Sequence, residues 1–155
     1  VQRLKATTSG GHSPIVELAV AELLSQPGLE AGLRALRQRV AQRVDEAREL
    51  IAASFPAGTR ATDPPGGFIL WVELPVEVDS MRLCEACLDE RIVVAPGMRF
   101  SAGERYRHCI RLDVGGAWDA GAQRALRRVG DIATDLARRA AGVPSAPAFH
   151  LGMLP

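Results

Sequence analysis

Apolar residues along this chain recur every three or four positions, then every second one, then every three or four again. That change of period lays out the elements. Ser13 and Pro14 predict a helix start, Ser13 as cap and Pro14 at the first helical position, where a missing N–H costs nothing. The run "PIVELAVAELLSQ" should then stop or bend near Pro27-Gly28. In the next segment Leu29, Leu33, Leu36, Val40, Val44, Ala47 and Ile51 are spaced by four and three, which predicts one long helix with a continuous apolar stripe. Arg34, Arg37, Arg39, Arg43 and Arg48 flank that stripe and read as a solvated face.

"FPAGTRATDPPGG" carries turn residues densely and separates helix from sheet. In "FILWVELP", Phe68, Leu70, Val72 and Leu74 share one face and Ile69, Trp71 and Glu73 the other, with Pro75 ending the strand. Asp79 or Ser80 should cap a short helix through Glu90, with Leu83, Cys84, Cys87 and Leu88 inward. "RIVVAPG" reads as a short apolar strand. "CIRLDV" reads as another, with Ile110, Leu112 and Val114 on one face and Cys109, Arg111 and Asp113 on the other. The last helix puts Trp118, Ala122, Ala125, Val129, Ile132, Leu136 and Ala140 on one stripe, and a Pro-rich tail follows.

These elements predict an α+β fold. It is a two-layer sandwich whose small, mostly antiparallel sheet of three to four strands is covered on one face by helices, with a long N-terminal connecting helix. We expect three parts: residues 1–27, a segment from the end of a preceding domain; residues 28–142, the sandwich; and residues 143–155, the tail. The other sheet face, with Ile69, Trp71, Glu73, Cys109, Arg111 and Asp113, is half polar. It should meet water, another domain or a ligand.

With 47% hydrophobic and 24% charged residues in 155, the composition is globular. A net charge of +1 leaves no basic excess for a general nucleic-acid or membrane surface. Lys5 is the one lysine; all other cations in the Lys/Arg count are arginines. Three cysteines without a leader suggest a reducing cytoplasm, and no run reaches membrane-helix length. The opening "VQRLKATTSGG", without an initiator methionine, suggests a piece of a longer protein.

Candidate chemistry narrows quickly. Cys84 and Cys87 have the spacing of a redox or zinc pair, and His108 and Cys109 would complete four ligands. The pair falls mid-helix on the apolar stripe, however, and adjacent His108 and Cys109 point to opposite faces, so buried small hydrophobes are the better reading and no metal site is expected. The Gly pairs in "SGGH" and "PPGG" lack the strand–loop–Lys order of a phosphate loop, although Gly66-Gly67 before a strand would permit close approach to a ligand. His12 and His150 have no visible partner, and no catalytic constellation emerges. Arg111 is the sharpest residue: a planar charged fork fits a carboxylate, and its mid-strand position demands a partner. Glu73 and Asp113, on its own face, are the protein partners to weigh against a ligand.

Taken in order, "PPGGFILWVELP", "DSMRLCEACLDERIVVAPGMRFS" and "HCIRLDVGG", with "GLRALRQRV" in the long helix, resemble the C-terminal small domain of class I/II, fold-type-I pyridoxal-phosphate aminotransferases. "CIRLDVGGAWD" is most similar to the aminotransferase-like domain of MocR-type regulators, which join a GntR-type winged helix to an aminotransferase fold. The resemblance implies that Arg111 holds the α-carboxylate of an amino-acid or keto-acid ligand. It places Gly67, Phe100 and Ser101, with Gly66 and the Pro96-Gly97 turn, around that site and leaves Trp71 to packing. It implies a homodimeric parent that binds pyridoxal phosphate and, if a regulator, meets DNA only through an N-terminal domain outside this sequence. Lys5, in "RLKATTS", looks like the segment after the Schiff-base lysine. The chain alone is therefore expected neither to hold the cofactor nor to transaminate, and none of its residues is assigned a catalytic role. The competing expectation is a cofactor-independent α+β interaction module docking through its half-polar face. Either way, an isolated small domain should self-associate through apolar surface.

Overall fold

The computed structural model describes residues 13–142; Lys5, His12, His150 and the tail from residue 143 lie outside them. The chain divides into two compact units between Gln38 and Arg39. In the first, helix α1 (Pro14–Ser25) buries none of its residues; Ile15, Val16, Leu18, Val20, Leu23 and Leu24 are all exposed. Pro14 opens it as expected, but the Ser13 side chain makes no capping bond. Helix α2 (Leu29–Ser54) runs across the division.

The second unit holds the sheet: β1 (Arg60–Ala61), β2 (Ile69–Glu73), β3 (Ala95–Pro96) and β4 (Cys109–Asp113), in the order β1-β2-β4-β3. Every pairing is antiparallel. Helices α3 (Ser80–Asp89) and α4 (Ala120–Ala140) complete the fold. Leu70, Val72 and Leu74 from β2 and its end join Ile110, Leu112 and Val114 in one buried cluster. Val44, Ala47, Ile51 and Phe55 of the α2 region, Leu83 and Cys87 of α3, and Leu126, Val129, Ile132 and Ala133 of α4 pack against them. The α+β sandwich with a helix-covered sheet is thus the observed architecture. Its driving force is removal of these side chains from water, at about 1.5–3 kcal/mol for each large aliphatic one.

Several residues depart from the sequence pattern for identifiable reasons. "RIVVAPG" pairs as a strand only at Ala95–Pro96. Arg91 and Ile92 belong instead to the end of α3. The Ile92 N–H donates to the Cys87 carbonyl (2.9 Å) and the Arg91 N–H to that of Leu88 (2.8 Å), with Arg91 left-handed at φ 61°. This is a helix-ending Schellman turn with arginine where glycine usually sits. Leu88 is exposed, because Leu83 and Cys87 face the core. Phe68 is also exposed; the ladder continues through its carbonyl, which accepts from Val114 N–H (2.9 Å), while its ring lies over Gly115. On α4 the buried line is Leu126, Val129, Gly130, Ile132 and Ala133, and Ala140 is exposed.

Two of the arginines assigned to a solvated face hold loops. Arg43 donates to the Gly115 (3.2 Å) and Gly116 (2.8 Å) carbonyls, and Arg48 pairs with Asp63 at 3.1 Å. One turn along α2, Glu46 accepts from the Trp118 indole N–H at 2.6 Å. The Arg43 and Glu46 contacts tether the turn that leads from β4 into α4.

Candidate functional site

Alternation along β4 sends Ile110 and Leu112 into the core and Arg111 to the opposite face, where it is half-buried. Trp71 lies directly across from it on β2. Trp71 spends its backbone groups on Thr62: the N–H donates to Thr62 Oγ1 (3.0 Å) and the carbonyl accepts from Thr62 N–H (2.9 Å). Trp71 and Arg111 are therefore a non-hydrogen-bonded pair, the kind in which facing side chains come closest.

The connection from β3 to β4 closes the site. Pro96 pairs with Ile110, and Gly97 opens a 3₁₀ turn (Gly97–Phe100) that lies against the start of β4. A Cβ at Gly97 would meet the Tyr106 carbonyl oxygen at 2.5 Å, the Cys109 carbonyl oxygen at 2.8 Å and Cys109 Cβ at 2.9 Å, so only glycine permits the approach. That packing buries Cys109, which strand alternation alone would have left facing outward. It also brings the Phe100 ring to the guanidinium: Arg111 Cζ is 5.4 Å from the ring centroid. Phe100 and Tyr106 each meet Trp71 edge-on, with centroids at 5.8 and 5.0 Å. Trp71, Phe100, Tyr106 and Arg111 line a shallow concavity of about 620 Å³.

Neither expected protein carboxylate reaches Arg111. Glu73 lies 3.4 Å from His108 Nε2, and Asp113 accepts the Gly115 N–H at 2.8 Å. Among the described residues no carboxylate lies within ion-pair distance of the Arg111 guanidinium. A guanidinium placed in this way beside aromatic rings can pair bidentately with a carboxylate.

Against this geometry, the profile of the family described as "Aminotransferase class I and II" matches residues 1–129. The chain belongs to that family. It is 30% identical to the uncharacterized HTH-type transcriptional regulator YdcR of Escherichia coli over 132 residues, which is 85% of this chain and 28% of that protein. It is 24% identical to the 2-aminoadipate transaminase of Thermus thermophilus, over 84% of this chain and 33% of that one. Among solved structures, LysN, the α-aminoadipate aminotransferase of the same organism complexed with N-(5'-phosphopyridoxyl)-L-leucine, aligns with a TM-score of 0.69 at 24% identity, over 89% of this chain and 35% of that one. The chain therefore spans about a third or less of these relatives, and the structural likeness shows the fold.

Within this aminotransferase-class chain, Arg111 and Phe100 share the concavity, while Gly67 and Ser101 are not among its lining residues. Gly67, left-handed at φ 84°, is exposed just before β2, at the end of the ribbon where Ile69 pairs with Asp113. The Ser101 hydroxyl accepts the Gly103 N–H at 3.2 Å and so serves its own turn. Trp71 and Tyr106 are wall residues that sequence reasoning did not single out for the site. For Trp71 the signal was available in its alternation onto the half-polar face that also carries Arg111; for Tyr106 there was none, since a residue in an irregular connection has no period.

The cysteines do not converge. Cys84 and Cys87 lie on α3, and burial, assisted by Cys87 for the first and Glu90 for the second, pushes each thiol up to about 11. A nucleophilic thiol needs the opposite shift. Among the described residues no cluster of three or more His, Cys, Asp or Glu side chains is arranged to hold a metal.

Proposed function

We propose that this chain is the C-terminal small domain of a pyridoxal-phosphate-dependent, aminotransferase-fold protein, in which Arg111 receives the α-carboxylate of an amino-acid or keto-acid ligand. The observation that supports it most is the Arg111 guanidinium on the outer sheet face, over the Phe100 ring and without a carboxylate partner among the described residues. A bidentate charge-assisted contact there contributes about 1.5–3 kcal/mol, or roughly ten- to a hundredfold in affinity. Gly67 and Ser101 border the same ligand in this reading, from the ribbon end and the turn.

Pyridoxal phosphate, when bound by the parent, supplies the electron sink for carbanion chemistry. The described residues do not fit that group: they include no lysine to bond it and no lysine or phosphate-loop pattern to cradle its phosphate. They bind and orient a ligand's carboxylate; the covalent chemistry lies elsewhere in the parent. Higher identity to YdcR than to the transaminase favours a MocR-type regulator over a free-standing enzyme, with DNA contacted through a winged-helix domain outside this chain. The exposed apolar residues of α1 support a homodimeric parent, in which such surface is covered. Among the described residues no helix is long and apolar enough to cross a membrane, and the proposed setting is the cytoplasm.

In the full-length protein, Arg111→Ala should weaken amino-acid binding about ten- to a hundredfold and leave the bound cofactor's own absorbance unchanged. Unaltered affinity would remove Arg111 from the site. A winged-helix domain ahead of the aminotransferase fold identifies the regulator, and its absence identifies an enzyme.

A further inference from the structure

Arg111 is half-buried, charged, and without a carboxylate partner among the described residues, yet a flexible side chain of this kind is useful as a receptor only if something holds it. What touches it is an aromatic ring. We propose that Phe100 is the positioning residue that orients the Arg111 guanidinium for a carboxylate, and that Trp71 and Tyr106 brace Phe100 in that role. The proposal rests on the reading of Arg111 as the carboxylate anchor and adds how the anchor is kept ready.

Three observations carry it. The Arg111 Cζ atom lies over the Phe100 ring at 5.4 Å from its centroid, inside the range of a cation–π attraction. Such a contact holds the group without supplying a carboxylate, so the charge stays available to an incoming anion. Phe100 is itself held: its ring meets Trp71 edge-on at 76°, and Trp71 meets Tyr106 edge-on at 78°, the arrangement that the aromatic quadrupole favours. Finally, the backbone of this turn has little freedom, because Gly97 is pressed against the carbonyls of Tyr106 and Cys109. Trp71 comes from β2, Arg111 from β4, and both Phe100 and Tyr106 from the connection between β3 and β4. The chain of rings thus ties the turn to the central strand pair at the one position that carries the cation.

Phe100 is 45% exposed, which is high for a ring retained only to fill a core. Its replacement by leucine should accordingly spare the fold while removing the quadrupole. The test uses the full-length protein and calorimetric titration with the twenty standard L-amino acids, followed by the carboxamide of the tightest binder. Phe100→Leu should weaken the amino acid about three- to thirtyfold, Phe100→Tyr should recover wild-type affinity within about twofold, and the carboxamide should bind both proteins alike. In an Arg111→Ala background, Phe100→Leu should have no further effect. Trp71→Phe, which keeps a ring in the brace, serves as a second variant with a smaller expected loss.

The proposal is overturned if Phe100→Leu binds as wild type while Arg111→Ala does not. It is equally overturned if the Phe100→Leu loss persists undiminished without Arg111, which would make it a packing effect. If Arg111→Ala is silent, or if neither the amino acids nor the corresponding 2-keto acids bind, the anchor reading itself falls, and the two failures are told apart.

Discussion

Replacing Gly97 by alanine should cost this fold about 2 kcal/mol, a figure that follows from three contacts and the overpacking they imply. The new methyl would sit 2.5 Å from the Tyr106 carbonyl oxygen, 2.8 Å from that of Cys109 and 2.9 Å from Cys109 Cβ. All fall well short of the ~3.5 Å at which carbon contacts become favourable. Two of the three atoms are backbone, so relief requires moving the β4 start or the turn and not a side-chain rotamer. We therefore take the upper end of the overpacking range, about 3 kcal/mol. Against it stands the lower chain entropy of alanine in the unfolded state, about 0.4–1 kcal/mol. The difference lowers the folded-to-unfolded ratio about thirtyfold. Gly103→Ala is the matched control, since among the described residues beyond its chain neighbours nothing lies within 4 Å of its would-be methyl, and its φ is not positive. That variant should be neutral or stabilised by up to about 1 kcal/mol. Urea unfolding followed by the emission of Trp71 and Trp118, the only two tryptophans, reads both. If Gly97→Ala unfolds at the same urea concentration as Gly103→Ala, or at a higher one, the turn is not pressed on β4. The account of how Phe100 reaches Arg111 then fails with it.

Arg91 closes α3 in the left-handed region, where a Cβ costs about 1–2 kcal/mol, so Arg91→Gly should stabilise by roughly 0.5–1 kcal/mol; an unchanged midpoint would count against the Schellman geometry. The Ser80 hydroxyl is fully buried with no hydrogen-bond partner among the described residues, and Ser80→Ala should raise stability by about 1 kcal/mol in the same urea assay. Desolvation raises the Asp79 pKa, but the bonds it accepts from the Arg107 side chain and from the Arg82 and Met81 N–H groups outweigh this and hold it below the ordinary aspartate value. A depressed folded pKa contributes stability above the unfolded value and loses it as pH falls through the folded one. Asp79→Ala should thus cost about 1 kcal/mol at pH 7, and its gap from wild type should close below about pH 4. With thiols pushed up to about 11, Cys84 and Cys87 are roughly one-thousandth ionised at pH 8, so iodoacetamide should modify them far more slowly than a free cysteine.

Much of this protein was readable from local period and chemistry. The three-and-four spacing of Val44, Ala47 and Ile51, and the twofold alternation of Leu70 with Val72 and of Ile110 with Leu112, are consequences of helix and strand geometry that need no partner to be recognised. Side-chain alternation likewise puts Arg111 on the face opposite Ile110 and Leu112 whatever the strand pairs with. Asp79 as a cap and Pro14 at a helix start are also local, because each acts on backbone within one turn.

Tertiary structure decided what surrounds those positions. Nothing in the pattern says that a 3₁₀ turn folds back over the strand face, burying Cys109 and laying Phe100 against Arg111, because that depends on a close approach between separate segments of the chain. Nor does it say that Glu73 and Asp113 are engaged elsewhere, or that Arg43 and Arg48 tie down loops distant in sequence. The end of α3 shows the same division. "RIVVAPG" is apolar enough for a strand, but its first two residues complete the hydrogen bonds of the preceding helix, and those unsatisfied carbonyls prevail over intrinsic strand preference. Local sequence set the position of the cation and the direction it faces. Whether that cation is left without a counter-charge depends on contacts between distant segments, which only the assembled fold supplies.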